Sequence, residues 1–273
     1  MVTANDLKGI MAMMPAFTTK DGDRIDATDT IDTDELTRAV DKLIRDGGVN
    51  VLTTTGSFGE FHTLLWDEHK KLIEATVAAV KKRVPLFIGC TNLNPREAIR
   101  QAKFAQEAGA DGLLLGVPFY YQATVDNAVQ FYHDVADALP KMGVMIYHNP
   151  THHRVTIPVG AFKRITEKPN IVGMKDSHRT PLQFVELCNI TKGKMSVFVN
   201  QTQMFPYYQL GAAGVLVLQR LDGAVTGGDI ARRLLGPGLG SRQANLSRSR
   251  RYRQSRSKYR KSVLARECIQ TFR

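Results

Sequence analysis

Three short runs in this 273-residue chain end in polar groups with chemical potential. The run NIVGMKDS (170–177) is apolar up to Lys175. An ammonium at the end of an apolar strand is partly desolvated. Its pKa then falls toward neutrality, and a neutral amine can attack a carbonyl carbon. The plain alternative is a lysine that snorkels out of the strand end or pairs with Asp176. The run GVMIYHNP (143–150) carries Tyr147, 28 residues before Lys175. A phenol beside an imine carbon relays protons during addition and C–C cleavage; a tyrosine that packs its ring and exposes its hydroxyl is the alternative. Asn149, two residues on, shares the strand face of Tyr147 and can orient water or a substrate oxygen, whereas His148 points to the other face. The third run, TTTGSFGEFH (53–62), contains a Gly56-Ser57-Phe58-Gly59 turn. Such a turn offers clustered N–H groups and a hydroxyl to an anion such as a carboxylate, unless it is an ordinary glycine-rich connection.

These runs need elements to position them. Apolar runs of strand length occur at 9–15, 49–56, 85–91, 112–118, 143–150, 170–177 and 194–201. Several are continuously apolar, which suits parallel strands covered on both faces. Between them, DTDELTRAVDKLIRDGG, DEHKKLIEATVAAVKKR, PREAIRQAKFAQEAGA and DNAVQFYHDVADALPK read as amphipathic helices. The first has acidic residues in its first turn and a glycine stop. The strand-to-strand spacing of roughly 25 to 40 residues fits repeated βα units. Seven units in series predict an α/β fold, a (β/α)8 barrel with chemistry at the C-terminal strand ends. An open doubly wound sheet is the alternative, weakened because no glycine-rich phosphate loop follows the first strand.

Composition narrows the function classes. Hydrophobic residues make up 43% of the chain, enough for one large domain or two small ones. No apolar run approaches 20 residues, so no membrane span is expected. The N-terminus lacks a basic-then-apolar leader. Cys90, Cys188 and Cys268 have neither metal-type nor redox-type spacing, which fits a reducing cytoplasm. The net charge of +11 suggests nucleic acid, but residues 215–273 hold 14 Lys/Arg against 3 Asp/Glu, the whole excess. The body is neutral. We therefore divide the chain into a catalytic barrel domain, 1–214, and a basic low-complexity tail, 215–273, with no apolar period to build a core. An RNA-binding arm is the rival reading of that tail. It is the weaker one, because the body is neutral and carries no recognition motif, and no physiological nucleic-acid partner is expected.

In combination and in this order, the three runs resemble the dihydrodipicolinate synthase / N-acetylneuraminate lyase family of class I pyruvate aldolases. The matching motifs are Gly56-Ser57-Phe58-Gly59-Glu60, Tyr147-His148-Asn149-Pro150 and Gly173-Met174-Lys175-Asp176-Ser177. The resemblance covers about residues 8–214. It implies that Lys175 forms the imine and that Tyr147 relays the proton. It further implies that Ser57 and the Phe58 N–H hold the pyruvoyl carboxylate of a small-molecule keto acid, and that the assembly is a homotetramer. Dihydrodipicolinate synthases usually carry a second hydroxyl residue where this chain has Phe58, which weakens a lysine-biosynthesis role. Phe58, Phe61 and Phe119 would make an aromatic mouth suited to an aryl group, or are ordinary packing.

GSFGEFHTLLWDE and IYHNP look most like the hydratase-aldolases of polycyclic aromatic degradation, which act on ortho-substituted benzylidenepyruvates. The 2-carboxyphenyl substrate is the favoured expectation over the 2-hydroxyphenyl one. His62 could meet the extra carboxylate, or lie at the surface. Neither metal nor organic cofactor is expected, because the lysine imine is itself the electron sink.

The tail departs from that resemblance. Such hydratase-aldolases continue after GAAG with a run like C-W-S-C-N-x-W-M-G-P, where this chain has Val215 to Val225. Codons can be chosen for that stretch which, moved on by one base, read C-W-S-C-N-A-W-M-G-P. The expectation is a reading-frame shift near Gly214, with the last strand and the C-terminal helices lost or replaced by a basic disordered tail. Val215 to Leu218 could pair as a substitute strand. The family's asparagine in S-C-N has no counterpart here.

Overall fold

A computed structural model describes residues 1–218. Eight strands alternate with helices: β1 Gly9–Met13, β2 Val51–Thr53, β3 Leu86–Gly89, β4 Gly112–Leu115, β5 Gly143–Tyr147, β6 Ile171–Lys175, β7 Ser196–Asn200 and β8 Gly214–Leu218. The helices are α1 Thr33–Arg45, α2 Trp66–Val80, α3 Pro95–Ala108, α4 Val125–Ala138, α5 Pro150–His153, α6 Phe162–Ile165, α7 Pro181–Thr191 and α8 Met204–Gln209. All strand pairs are parallel and the sheet closes in the order β1 to β8, so the fold is a (β/α)8 barrel.

Local sequence explains the element boundaries. The Asp32 carboxylate accepts the Glu35 N–H and starts α1. Asn94 accepts the Arg96 N–H ahead of Pro95, and Gly109 stops α3 at φ +106°. Thr180 accepts the Gln183 N–H ahead of Pro181 and starts α7. Each cap satisfies donors that the first turn leaves unpaired. Every strand but β8 lies inside an apolar run picked out above.

The core has two layers. Met11, Met13, Val51, Phe87, Leu114, Met145, Tyr147, Val172, Phe198 and Leu216 fill the barrel interior, with Leu7 among them. A larger cluster lies between strands and helices and includes Ile10, Ala12, Leu52, Ile88, Ile146, Met174 and Val197. Neighbouring strand residues thus alternate between interior and outer layer. β6 breaks this alternation. Val144 pairs with Ile171 and Met145 with Gly173, so Val172 is an extra residue on β6. After that shift Met174 lies in the outer layer and Lys175 pairs with Tyr147.

The eighth strand is not lost: the substitute pairing expected at Val215 to Leu218 forms and closes the barrel. Gly214–Leu218 pairs with β1 along its whole length, from Gly9↔Gly214 to Met13↔Leu218, and with β7. A Cβ on Gly214 would lie 2.1 Å from the Gly9 carbonyl oxygen, so glycine is what lets this seam close. Val215, Leu216 and Val217 are buried, so strand formation runs past the boundary drawn at residue 214. The calls on the rest of the tail, including Cys268 and the C-terminal helices, fall outside the described residues. Among the described residues no helix is long and apolar enough to cross a membrane.

Candidate active site

Lys175 ends β6 and Tyr147 ends β5. They are register partners, and the Lys175 Nζ lies 5.5 Å from the Tyr147 ring centroid. Both are buried, at 4% and 6% exposure. Burial lowers the Lys175 ammonium to about 8, against a partial restoring pull from the Asp176 carboxylate. A substantial share of the amine is therefore unprotonated just above neutrality, the condition that nucleophilic attack requires. Burial raises the Tyr147 phenol, while hydrogen bonding from Ser57 and Asn149 opposes the rise. The phenol is thus held neutral and oriented, ready to give or accept a proton.

Ser57 reaches Tyr147 because the turn after β2 is tightly wound. Thr55 adopts φ +46° and Glu60 φ +54°. A left-handed β-branched residue is strained by about 1–3 kcal/mol, so surrounding structure must hold it. The Thr55 hydroxyl donates to the Gly89 carbonyl at 2.9 Å and lies 3.0 Å from the Thr54 hydroxyl. Two glycines make room: a Cβ on Gly89 would sit 2.0 Å from the Thr55 carbonyl oxygen, and one on Gly59 2.4 Å from the Thr55 nitrogen. Gly56 is likewise pressed against the Met13 side chain. Burial raises the Glu60 carboxyl.

The sequence-selected residues divide into two groups. Lys175, Tyr147, Ser57 and Asn149 converge. Gly56 and Phe58 lie in the turn that delivers Ser57, and Phe58 packs against the barrel interior. Of the three phenylalanines expected to line an aromatic mouth, Phe61 and Phe119 meet, while Phe58 packs against the barrel interior. Phe61 meets Phe119 edge-on at 6.2 Å, and Phe119 lies 6.3 Å from the His153 ring. His62 is exposed, edge-on to Phe61 at 5.4 Å.

Sequence reasoning missed His153. Its ring meets Tyr147 edge-on at 5.6 Å, and burial holds the imidazole at about 4, hence neutral near pH 7. It fits there because Gly116 has no side chain; a Cβ would lie 2.4 Å from the imidazole. The only local signal was a pair of histidines after Asn149-Pro150, which by itself does not say which one turns inward. A cavity of about 370 Å³ lined by Thr3, Thr166, Lys168 and Lys194, among others, opens at the N-terminal end of the barrel, away from these groups.

His148, Asp176 and His178 offer ligand atoms within 4.8 Å of one another. They form a cluster of facing charged and polar groups, in which the buried His148 Nδ1 and Asp176 Oδ1 lie 3.6 Å apart without a hydrogen bond. His148 Nε2 accepts the Ile157 N–H at 3.1 Å, so the neutral ring carries its proton on Nδ1, the atom facing Asp176. The Arg179 guanidinium also faces that carboxylate, with Nε 3.5 Å from Oδ1.

Comparison with known proteins shows which family the chain resembles. The chain is 39% identical over 174 residues to a trans-O-hydroxybenzylidenepyruvate hydratase-aldolase of Pseudomonas aeruginosa, covering 64% of this chain and 52% of that protein. It is 34% identical over 174 residues to a trans-2'-carboxybenzalpyruvate hydratase-aldolase of Nocardioides sp. (strain KP7), with the same coverage. It thus spans about half the length of these relatives. Among solved structures, PhdJ bound to a substrate intermediate superposes with a TM-score of 0.76 at 30% identity, over 81% of this chain and 70% of that one. Residues 9–219 match the dihydrodipicolinate synthetase family, and the chain belongs to it.

Proposed function

We propose that this protein is a class I pyruvate hydratase-aldolase that cleaves an ortho-substituted benzylidenepyruvate to an aromatic aldehyde and pyruvate. The observation that carries the reading is the buried Lys175 amine set against Tyr147, its register partner on the neighbouring strand. The similarity to two kinds of hydratase-aldolase supports the substrate class. The Phe61–Phe119–His153 ring contacts lead to Tyr147, whose ring lies beside the lysine, and supply an aromatic surface. The preferred substrate is 4-(2-carboxyphenyl)-2-oxobut-3-enoate, giving 2-carboxybenzaldehyde.

The chemistry proceeds through the lysine. The neutral Lys175 amine adds to the C2 ketone and water leaves, forming the imine. The protonated imine withdraws electrons through the conjugated alkene, so water adds at C4 and a proton is taken up at C3. Tyr147, oriented by Ser57 and Asn149, takes the proton from the new C4 hydroxyl. The C3–C4 bond breaks, its electron pair passes into the enamine, and the aldehyde leaves. Protonation at C3 and hydrolysis release pyruvate and regenerate the amine. Ser57 and the N–H groups of the Gly56–Gly59 turn hold the keto-acid carboxylate.

The same proposal includes a one-base shift of reading frame near Gly214. Resequencing this stretch of the gene is the check. For the activity, borohydride reduction in the presence of pyruvate should leave one reduced pyruvate on the peptide bearing Lys175. A panel of 2-carboxyphenyl, 2-hydroxyphenyl and unsubstituted benzylidenepyruvates should then release pyruvate fastest from the 2-carboxyphenyl compound. A folded protein that is not trapped at Lys175 would refute the reading.

A further inference from the structure

The residues that follow Tyr147 and Lys175 form a second pair, on the opposite side of the sheet. Side chains alternate along a strand, so His148 and Asp176 point outward where their neighbours point in. They are 2% and 0% exposed, and His148 Nδ1 lies 3.6 Å from Asp176 Oδ1. The His148 N–H donates to the Lys175 carbonyl at 3.0 Å. Each strand end therefore carries one residue of an inner pair and one of an outer pair.

The outer pair is anchored from four directions. Asp176 Oδ1 faces His178 Nδ1 at 3.3 Å and Arg179 Nε at 3.5 Å. Its Oδ2 accepts the His178 and Arg179 N–H groups at 3.4 and 3.3 Å. Burial would raise this carboxyl, but the facing His148 and His178 side chains and the Arg179 charge hold it well below the usual range. Arg179 also donates to the Ile157 carbonyl at 2.9 Å, and Tyr207 donates to the Arg179 carbonyl at 2.6 Å. The Ile157 N–H holds the far side of His148. The Asp176 carboxylate thus accepts two backbone N–H groups ahead of α7 and faces His148 and Arg179 across 3.6 and 3.5 Å, and both of those side chains hydrogen-bond to Ile157.

We propose that His148 and Asp176 are positioning residues that clamp the ends of β5 and β6 from outside the barrel and so set the placement of Lys175 against Tyr147. Neither touches the reacting atoms. The clamp rests on the reading of Lys175 as the imine-forming residue. Its physical basis is that a misplacement of about 1 Å at a reacting pair slows the reaction on the order of a hundredfold. A buried carboxylate with several fixed donors also resists such displacement far better than apolar packing does.

The test uses the full-length chain and its His148→Asn, His148→Leu and Asp176→Asn variants. Asparagine at 148 keeps a donor near the position of Nδ1; leucine does not. For each we would measure the rate of borohydride-trapped pyruvate adduct at Lys175, kcat and KM for pyruvate release from a benzylidenepyruvate, and the melting temperature. The expected result is that His148→Leu and Asp176→Asn lower the trapping rate and kcat by about tenfold to a hundredfold, with KM close to wild type. His148→Asn should recover most of the loss. Combining His148→Leu with Asp176→Asn should cost little more than either alone, as expected for one unit.

Variants that melt earlier yet trap pyruvate at the wild-type rate would reduce the pair to a structural role and overturn the clamp. If His148→Leu does not fold, the isosteric Asp176→Asn decides alone. Wild-type protein that is not trapped at Lys175 overturns the lysine reading and the clamp together. Trapped wild type with unaffected variants overturns only the clamp.

Discussion

The Lys175 Nζ sits 5.5 Å from the centre of the Tyr147 ring, on strand ends that pair directly. The ring shields one side of the amine from water, and its hydroxyl is directed by Ser57 and Asn149. This pair supplies the two functions that a retro-aldol reaction needs: a nucleophile to make the electron sink and a group to take the hydroxyl proton.

The first prediction concerns pH. Because the free amine is the reactive form and burial lowers Lys175 to about 8, the trapping rate should rise about tenfold per pH unit below that value and level off above it. Stopped-time borohydride trapping with pyruvate, followed by peptide mass spectrometry, measures the profile. A rate still climbing steeply at pH 10 would mean an ordinary, solvated lysine.

Lys175→Met should stabilise the fold while abolishing pyruvate release. The difference between 10.5 and about 8 corresponds to roughly 3 kcal/mol of disfavoured charge. The sign follows from linkage. A lysine whose folded pKa is depressed destabilises the fold fully below the folded value, and the penalty fades as pH rises from about 8 to 10.5. Urea melts of the variant should therefore show a gain near pH 7 that vanishes by about pH 10.5.

Tyr147→Phe removes the hydroxyl and keeps the ring beside Lys175. The kcat for pyruvate release should drop by about a hundredfold or more, while the pyruvate adduct at Lys175 still forms. Loss of trapping together with turnover would instead assign Tyr147 to imine formation.

Gly89→Ala tests the turn that delivers Ser57. Its Cβ would lie 2.0 Å from the Thr55 carbonyl oxygen and 2.4 Å from its carbon, both backbone atoms that cannot swing away. Denaturant melts should show a loss of about 3 kcal/mol or more, with weaker keto-acid binding in whatever folds. Wild-type stability would mean that the Thr55 turn is slack.

Much of the architecture was legible because it is written locally. The apolar runs, the amphipathic helix patterns and the acidic first turn and glycine stop of α1 each act within a few residues. β8 was legible only as a substitute strand at Val215 to Leu218, without its register. Its partner β1 is some two hundred residues away in sequence, and only their register shows Gly9 and Gly214 face to face. Within the site, Lys175 and Tyr147 could be found as polar residues ending apolar runs. His153 could not, because what places its ring is the missing side chain of Gly116, just after β4.

By itself, then, the sequence determined the order of the βα units, the chemistry available at their ends and the family likeness, since periodicity and residue type are properties of short segments. The direction in which Lys175 points was decided only by the tertiary structure. Strict alternation from Val172, which faces the interior, would have turned Met174 inward and Lys175 out. The extra residue on β6 opposite Met145 reverses that phase. It brings the lysine inside beside Tyr147 and sends Asp176 outward to His148, because pairing across strands, not pattern along one, sets the face of a side chain.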